Sequence, residues 1–155
     1  MTAEIFDTQY ANFIETEKDR RLYPNILSAY NDPQNFRSLF KFFGMMVGKA
    51  LLEGILLKAN FATFFLNHMV NKSNQVDDLK ALDPQLYENL LHIKYYDAGN
   101  VQDLGLTMAV TQDNFGVSET ISLVPNGENV EVTNENKLAY IMYYANYMLN
   151  TRTME

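Results

Sequence analysis

The two histidines of the sequence, His68 and His92, are the first candidates for acid–base chemistry. Imidazole is the side chain whose ordinary pKa lies near neutral pH, so a hydrolase would need one beside a carboxylate and a hydroxyl group. No spacing of such residues around either histidine indicates that arrangement. We therefore expect both to be ordinary surface or core residues, and a small hydrolase built on His and carboxylates is a minor alternative.

The other groups that bind metals or cofactors give no matching pattern. The chain has no cysteine, which excludes disulfides, thiolate metal sites and thiol nucleophiles within it. The acidic clusters Glu15–Asp19 and Asp77–Asp78 lack the alternating oxygen ligands and the central glycine of a calcium loop. Gly44 and Gly48 lack the preceding strand of a phosphate-binding loop. The sequence thus predicts no catalytic residue, no metal and no cofactor.

Composition limits the partners. The net charge of −7 disfavours nucleic acid, and 47% hydrophobic residues in a 155-residue chain suffice for one core. The first ten residues lack the pattern of a secretory signal, and the longest uncharged stretch of the most apolar region, Phe42–Gly48, is too short to cross a bilayer. We expect a protein of the cytoplasm or nucleus that binds neither nucleic acid nor membrane.

A single domain over residues 1–155 is predicted, with an extended lead-in over 1–30 and a helical core, hairpin and final helix over 31–155. From Phe36 to Glu53 apolar residues occupy most of a helical circumference, which predicts a buried helix. Gly44 and Gly48 share one face of it, where another backbone could approach closely. A further helix is expected from Asn60 to Val70.

The second half of the sequence predicts a third helix, a hairpin and a final helix. Asp83-Pro84 is a typical helix start. Alternating apolar residues over 104–110 and 117–123 predict two antiparallel strands with Phe115 near their turn, and a short strand is expected over 130–132. Thr133 is a plausible cap for a helix over 134–150. The fold class is α+β, mainly helical with a small antiparallel sheet.

Several segments together resemble the N-lobe of the HECT-type E3 ubiquitin-protein ligases, in order and in spacing. These segments are Leu22-Tyr23-Pro24-Asn25, FKFFGMMVGKALLEGILL, LKALDPQLYENLLHIK, LGLTMAV, Asn114-Phe115-Gly116 and PNGENVEVTNENKLAYI. The resemblance covers essentially the whole chain.

The resemblance implies a two-lobed transferase that accepts ubiquitin on a cysteine and passes it to a substrate lysine. The cysteine motif of the carboxy-terminal lobe has no match here, nor does the subdomain that docks the conjugating enzyme. The expectation is a non-catalytic scaffold for the remaining HECT lobes, which could self-associate through a truncated face. A stand-alone adaptor that binds helical peptides is the alternative from another class.

Some members of this family bind a second ubiquitin without a covalent bond on the N-lobe. The resemblance places their two aromatic anchors at Tyr10, in the lead-in, and at Phe115, in the hairpin turn. Aromatic anchors often carry much of the binding energy of an interface. The structural alternative is that Tyr10 packs onto the helical core and that Phe115 closes the end of the sheet.

Overall fold

The computed structural model describes residues 12–97, 99–114 and 117–152. The helices and strands of these residues are β1 (Phe13–Glu15), β2 (Leu22–Pro24), α1 (Ser28–Asn31), α2 (Phe36–Leu52), α3 (Thr63–Met69), α4 (Leu79–Leu82), α5 (Pro84–Lys94), β3 (Ala109–Asn114), β4 (Val117–Ser122) and α6 (Lys137–Asn146). Strands β1 and β2 pair antiparallel, as do β3 and β4. The predicted α+β class is confirmed. No helix in these ranges has the length and apolar character of a membrane-spanning segment.

The chain separates into two compact units, whose described residues are 12–72 for unit 1 and 73–97, 99–114 and 117–152 for unit 2. The prediction of one domain over the whole chain stays a prediction, and each unit is described by itself.

Unit 1 is built around the aromatic ring of Phe13. This side chain is 2% exposed, and its ring centroid lies 5.3 Å from that of Phe43 and 6.2 Å from that of Phe61. The rings of Phe40 and Phe65 approach it edge-on, at 5.6 and 6.5 Å. Tilted and edge-on pairs are the arrangements that aromatic rings favour. The cluster joins β1 to α2, α3 and the segment before α3.

The backbone of β2 completes unit 1. The N–H of Leu22 donates to the carbonyl of Asn60 at 2.8 Å, and the N–H of Ala62 donates to the carbonyl of Leu22 at 2.9 Å. Residues 60–62 are therefore extended and pair with β2. The predicted start of a helix at Asn60 was wrong, because these backbone bonds hold the chain outside the helical region until α3 begins at Thr63.

Helix α2 matches the predicted boundaries closely, but its predicted burial was wrong. Only Phe43 and Ala50 of this helix are buried, whereas Met45 is 58% and Leu52 is 91% exposed. The predicted close approach at the glycine pair was also wrong, since no described atom lies within 4 Å of a Cβ placed on either residue. An apolar circumference indicates that a helix can be buried, and the covering elements decide how much of it is.

The core of unit 2 is contributed by residues of α4, α5, β3 and α6 and of the turns between the elements. The side chains of Leu79, Leu90, Val101 and Leu149 are at most 1% exposed. Helix α5 begins as predicted at Asp83-Pro84, where the Asp83 carboxylate accepts the N–H of Leu86 at 2.8 Å. This cap satisfies one of the free amides of the first helical turn.

Two predicted boundaries in unit 2 were wrong. The first strand of the hairpin begins at Ala109, and Val101–Leu104 form a 3-10 turn instead. The final helix begins at Lys137 and continues as a π-helical turn over Tyr147–Thr151, while Thr133 accepts amides in the preceding turn. The expected strand over 130–132 is reduced to one bridge, between Thr107 and Glu131.

We predict that Phe13→Ala lowers the free energy of unfolding by about 3–5 kcal/mol, because the substitution removes the ring at the centre of the aromatic cluster and leaves a cavity. Chemical denaturation measures this change. Phe42→Ala is the matched control, since Phe42 is 44% exposed and its loss should cost clearly less. Equal effects of the two substitutions would show that the cluster does not hold unit 1 together.

Candidate functional site

The two predicted anchor residues, Tyr10 and Phe115, lie outside the described residues. The structure describes the segments that lead to them. Asn114 pairs with Val117 at the turn end of the β3–β4 ladder, so residues 115 and 116 connect the two strands in sequence. The predicted antiparallel hairpin is confirmed, but strand β3 continues through Gln112–Asn114, which the sequence had assigned to the turn.

The segment that follows Tyr10 is fixed by the β1–β2 pair. The carbonyl of Asn12 accepts the N–H of Asn25 at 2.9 Å, and Phe13 pairs with Pro24 in the ladder. Thr16 closes the turn between the strands, since its hydroxyl oxygen accepts the N–H of Arg21 at 3.0 Å. Phe13, three residues after Tyr10 in the sequence, thus lies in the aromatic core of unit 1.

The base of the β3–β4 hairpin is held by the main chain of Met108. Its N–H donates to the carbonyl of Val130 at 2.8 Å, and its carbonyl accepts the N–H of Leu123 at 2.9 Å. Gly127 lies against the same carbonyl so closely that a Cβ would overlap the oxygen. Asn126 permits this approach by adopting the left-handed backbone conformation, with φ of 59°, which asparagine tolerates better than most residues.

The middle of the hairpin is tied to the last turn of unit 2. The hydroxyl of Tyr147 donates to the side-chain oxygen of Gln112 at 3.1 Å. The π-helical turn that carries Tyr147 is itself held through Asn150, whose side chain bonds the backbone N–H and carbonyl of Asn74 at 3.2 and 3.4 Å. Strand β3, which leads to Phe115, is therefore held by its pairing with β4, by the main-chain bonds of Met108 at its start, and by the hydroxyl of Tyr147 at Gln112.

A cavity of about 370 Å³ lies between α5, β3 and the end of α6. The polar groups of Asp83, Gln112, Tyr144, Tyr147 and Arg152 line it. Burial raises the pKa of the Tyr144 phenol, the Asp83 carboxylate raises it further, and the Arg152 guanidinium lowers it. A phenol with a raised pKa stays protonated at neutral pH, so it can donate a hydrogen bond but is a poor general base.

The sequence did not reveal this cavity. Its only signal was the spacing of Tyr140, Tyr144 and Tyr147, which places the three rings along one side of the final helix. The strand and the first turn of α5 that complete the cavity come from distant parts of the chain.

The two histidines lie in different units of the chain. His92 is exposed on α5, and its ring contacts that of Tyr96 with centroids 5.9 Å apart. It borders an open groove that also contains Glu88 and Asp97, but neither carboxylate is hydrogen-bonded to its imidazole. His68 is half-buried at the end of α3 in unit 1. Within the described ranges, no three His, Asp or Glu side chains could hold a metal ion together.

Comparison with known proteins gives one consistent family. A family model described as HECT-domain (ubiquitin-transferase) matches residues 1–155, the whole chain. The match agrees with the resemblance that the sequence motifs indicated.

Curated relatives agree with the family model. The chain is 43% identical over 148 residues to the Schizosaccharomyces pombe protein named "Probable E3 ubiquitin protein ligase C167.07c". It is 39% identical over 153 residues to the Homo sapiens ubiquitin-protein ligase E3B, and 39% identical over 150 residues to the Arabidopsis thaliana E3 ubiquitin-protein ligase UPL6. The alignments cover 96%, 96% and 97% of this chain and 14% of each relative. The chain therefore corresponds to about one seventh of the length of these relatives.

We predict that Gly127→Ala destabilises unit 2 by about 1–3 kcal/mol, because the added methyl group would overlap the Met108 carbonyl and displace the base of the hairpin. Urea denaturation gives the free energy, and amide exchange of β3 and β4 reports the hairpin. Gly44→Ala in α2 is the matched control. No described atom lies within 4 Å of its Cβ, so it should stabilise the helix by about 0.5–1 kcal/mol. Equal responses would contradict the close contact at Gly127.

Because the Tyr140 phenol is buried, its ionisation should lower the free energy of unfolding at alkaline pH. Its side chain is 5% exposed, and desolvation, followed by the charge of Tyr144, raises its pKa from 10.0 to about 12. The stabilisation is complete below pH 10 and is lost between pH 10 and 12, because the unfolded chain releases this proton first. The loss should reach about 1.4 kcal/mol per pH unit. Tyr140→Phe removes this part of the slope in denaturation curves across that range.

Tyr143→Phe, at a residue that is 46% exposed, is the control for that titration and should leave the slope in place. An unchanged slope in Tyr140→Phe would mean that the Tyr140 hydroxyl titrates alike in the folded and unfolded chains.

Proposed function

Because this chain belongs to the HECT-domain family, we propose that it forms part of the N-lobe of an E3 ubiquitin ligase and acts there as a non-catalytic platform. The full-length ligase would transfer ubiquitin to substrate lysines, with the remaining HECT lobes as partners of this body. The observation that carries the proposal is the family match over all 155 residues of a chain that has no cysteine.

The chemistry supports a platform more than an enzyme. Transfer of ubiquitin through a thioester needs a thiolate nucleophile, and the chain has none. A hydroxyl nucleophile would need a base held beside it, and within the described residues neither Glu88 nor Asp97, the carboxylates that border the groove of His92, is hydrogen-bonded to the His92 imidazole. The alternative of a small hydrolase gains no support from these contacts.

The platform would also bind ubiquitin weakly and without a covalent bond, through Phe115 and Tyr10. The support for Phe115 is the fixed hairpin below it, which is held at Met108 and at Gln112. The support for Tyr10 is its nearness in sequence to Phe13, the central residue of the unit 1 core. An anchor next to a rigid element loses little conformational entropy on binding.

The test is a titration of isotope-labelled ubiquitin with the whole chain, followed by NMR. We expect saturable shift changes on the apolar patch of ubiquitin, with a Kd on the order of 100 µM, as a small interface with few anchors gives. Phe115→Ala and Tyr10→Ala should each weaken binding about tenfold, the effect of losing roughly 1.4 kcal/mol at an anchor. Tyr30→Ala is the control, since Tyr30 is 64% exposed on α1.

Absence of any shift change at millimolar ubiquitin, or the same Kd in Phe115→Ala, Tyr10→Ala and Tyr30→Ala, would reject the ubiquitin site. The platform role has a separate readout. Ubiquitin bound covalently to the purified chain after incubation with activating enzyme, conjugating enzyme and ATP would contradict a non-catalytic role.

A further inference from the structure

Helix α2 leaves one row of residues uncovered. Lys41, Met45, Gly48 and Leu52 follow one another at intervals of four, three and four residues, which places them in a single line along the helix. Met45 is 58% and Leu52 is 91% exposed, and no described atom lies within 4 Å of a Cβ placed on Gly48. Apolar residues at this spacing form the seam along which two helices pack.

The sides of the row widen this surface. Phe42 is 44% exposed on one side, and Leu51 is 75% exposed on the other. The helix has 17 residues, which correspond to about 25 Å at the usual rise per residue. Together these residues form a long, narrow and mainly apolar strip, which consists of Lys41, Phe42, Met45, Gly48, Leu51 and Leu52. A strip of this shape fits another helix better than it fits a flat sheet. Gly48 in the middle of the strip would let the partner backbone come close.

The charge of α2 is opposite to that of the chain. The helix contains Arg37, Lys41 and Lys49 and no carboxylate, although the net charge of the chain is −7. All three cations are exposed. Among the three, Lys49 is the one with an ion pair in the described residues, to Glu53 at 3.8 Å. The uncovered strip thus has basic residues within and beside it.

We propose that this strip of α2 binds an amphipathic helix whose apolar side is bordered by acidic side chains. The acidic residues of the partner would pair with Arg37, Lys41 and Lys49, and its apolar residues would cover Met45 and Leu52. This proposal goes beyond the role in ubiquitin transfer, since it concerns a different surface and a different ligand.

Two other occupants fit the strip less well. A second copy of α2 would bring the cations of both helices to one interface, and like charges across an interface are costly. A membrane would be bound by a helix that keeps its cations on the polar side, whereas Lys41 lies in line with Met45 and Leu52. The partner helix explains both the charge and the open position at Gly48.

The test uses two fluorescein-labelled synthetic peptides of three heptads each, with leucine at the a and d positions. One peptide has glutamate at the e and g positions, and the other has lysine there. Fluorescence anisotropy with the whole chain should show micromolar binding of the acidic peptide and at least tenfold weaker binding of the basic one. Added salt should weaken the binding of the acidic peptide, because salt screens exposed charge pairs.

Variants locate the site. Met45→Glu should abolish binding, and Lys41→Glu combined with Lys49→Glu should weaken the acidic peptide about tenfold, as the loss and reversal of exposed charge pairs implies. Matched controls are Met142→Glu, at a methionine that is 62% exposed on α6, and Lys72→Glu, at another exposed lysine. Neither control should change the Kd, and thermal unfolding should show that every variant is folded.

The proposal is overturned if the two peptides bind alike, or if Met45→Glu and Met142→Glu behave alike. It is also overturned if sedimentation shows a dimer that Met45→Glu dissolves, since a second copy would then occupy the strip. Binding of the chain to anionic vesicles that Met45→Glu abolishes, without binding of the acidic peptide, would overturn the proposal and assign the strip to a membrane. Because Phe115 and Tyr10 take no part in this test, its failure leaves the proposed ubiquitin site untouched.

Discussion

The main chain of Met108 is the point on which the arrangement of unit 2 depends. Its N–H and its carbonyl are used by two different segments, at Val130 and at Leu123, and Gly127 packs against the same carbonyl. Met108 is 4% exposed, so a lost partner would leave a buried polar group with no access to water. Such a group costs about 1–3 kcal/mol, more than a typical hydrogen bond contributes net. The position of β4 and the approach of the chain to α6 follow from this constraint.

The same constraint explains which parts of the hairpin could be predicted from the sequence. The alternation of Met108 and Val110 indicated that both side chains are buried, and they are 4% and 6% exposed. The alternation could not show where the ladder begins. The backbone of Met108 is hydrogen-bonded to Val130 and Leu123, and the β3–β4 ladder therefore starts one residue later, at Ala109. Local signals did better where they are self-contained, as at Asp83-Pro84, whose cap needs only residues within one turn.

Burial could be predicted only in part, because it depends on what lies opposite. Helix α2 has an apolar circumference, yet the aromatic cluster around Phe13 covers one side of it and leaves Met45 and Leu52 exposed. The cavity beside Tyr144 has the same origin, since it is assembled from α5, β3 and the end of α6. The prediction of Tyr10 and Phe115 as anchors came from the family resemblance alone, because nothing in composition or periodicity separates them from other aromatic residues.

In the proposed platform role, a chain without a thiol would contribute to ubiquitin transfer through geometry, which requires rigid support near each contact. The hairpin below Phe115 has this support, since the Tyr147 hydroxyl bonds Gln112 in mid-strand and Asn150 fixes the turn that carries Tyr147. Two aromatic side chains yield only a modest binding free energy. If the hairpin were mobile, the conformational entropy lost on binding would reduce this free energy further. In the proposed ubiquitin site, the side-chain bonds at Gln112 and Asn150 would therefore matter for weak binding as much as the anchor residue.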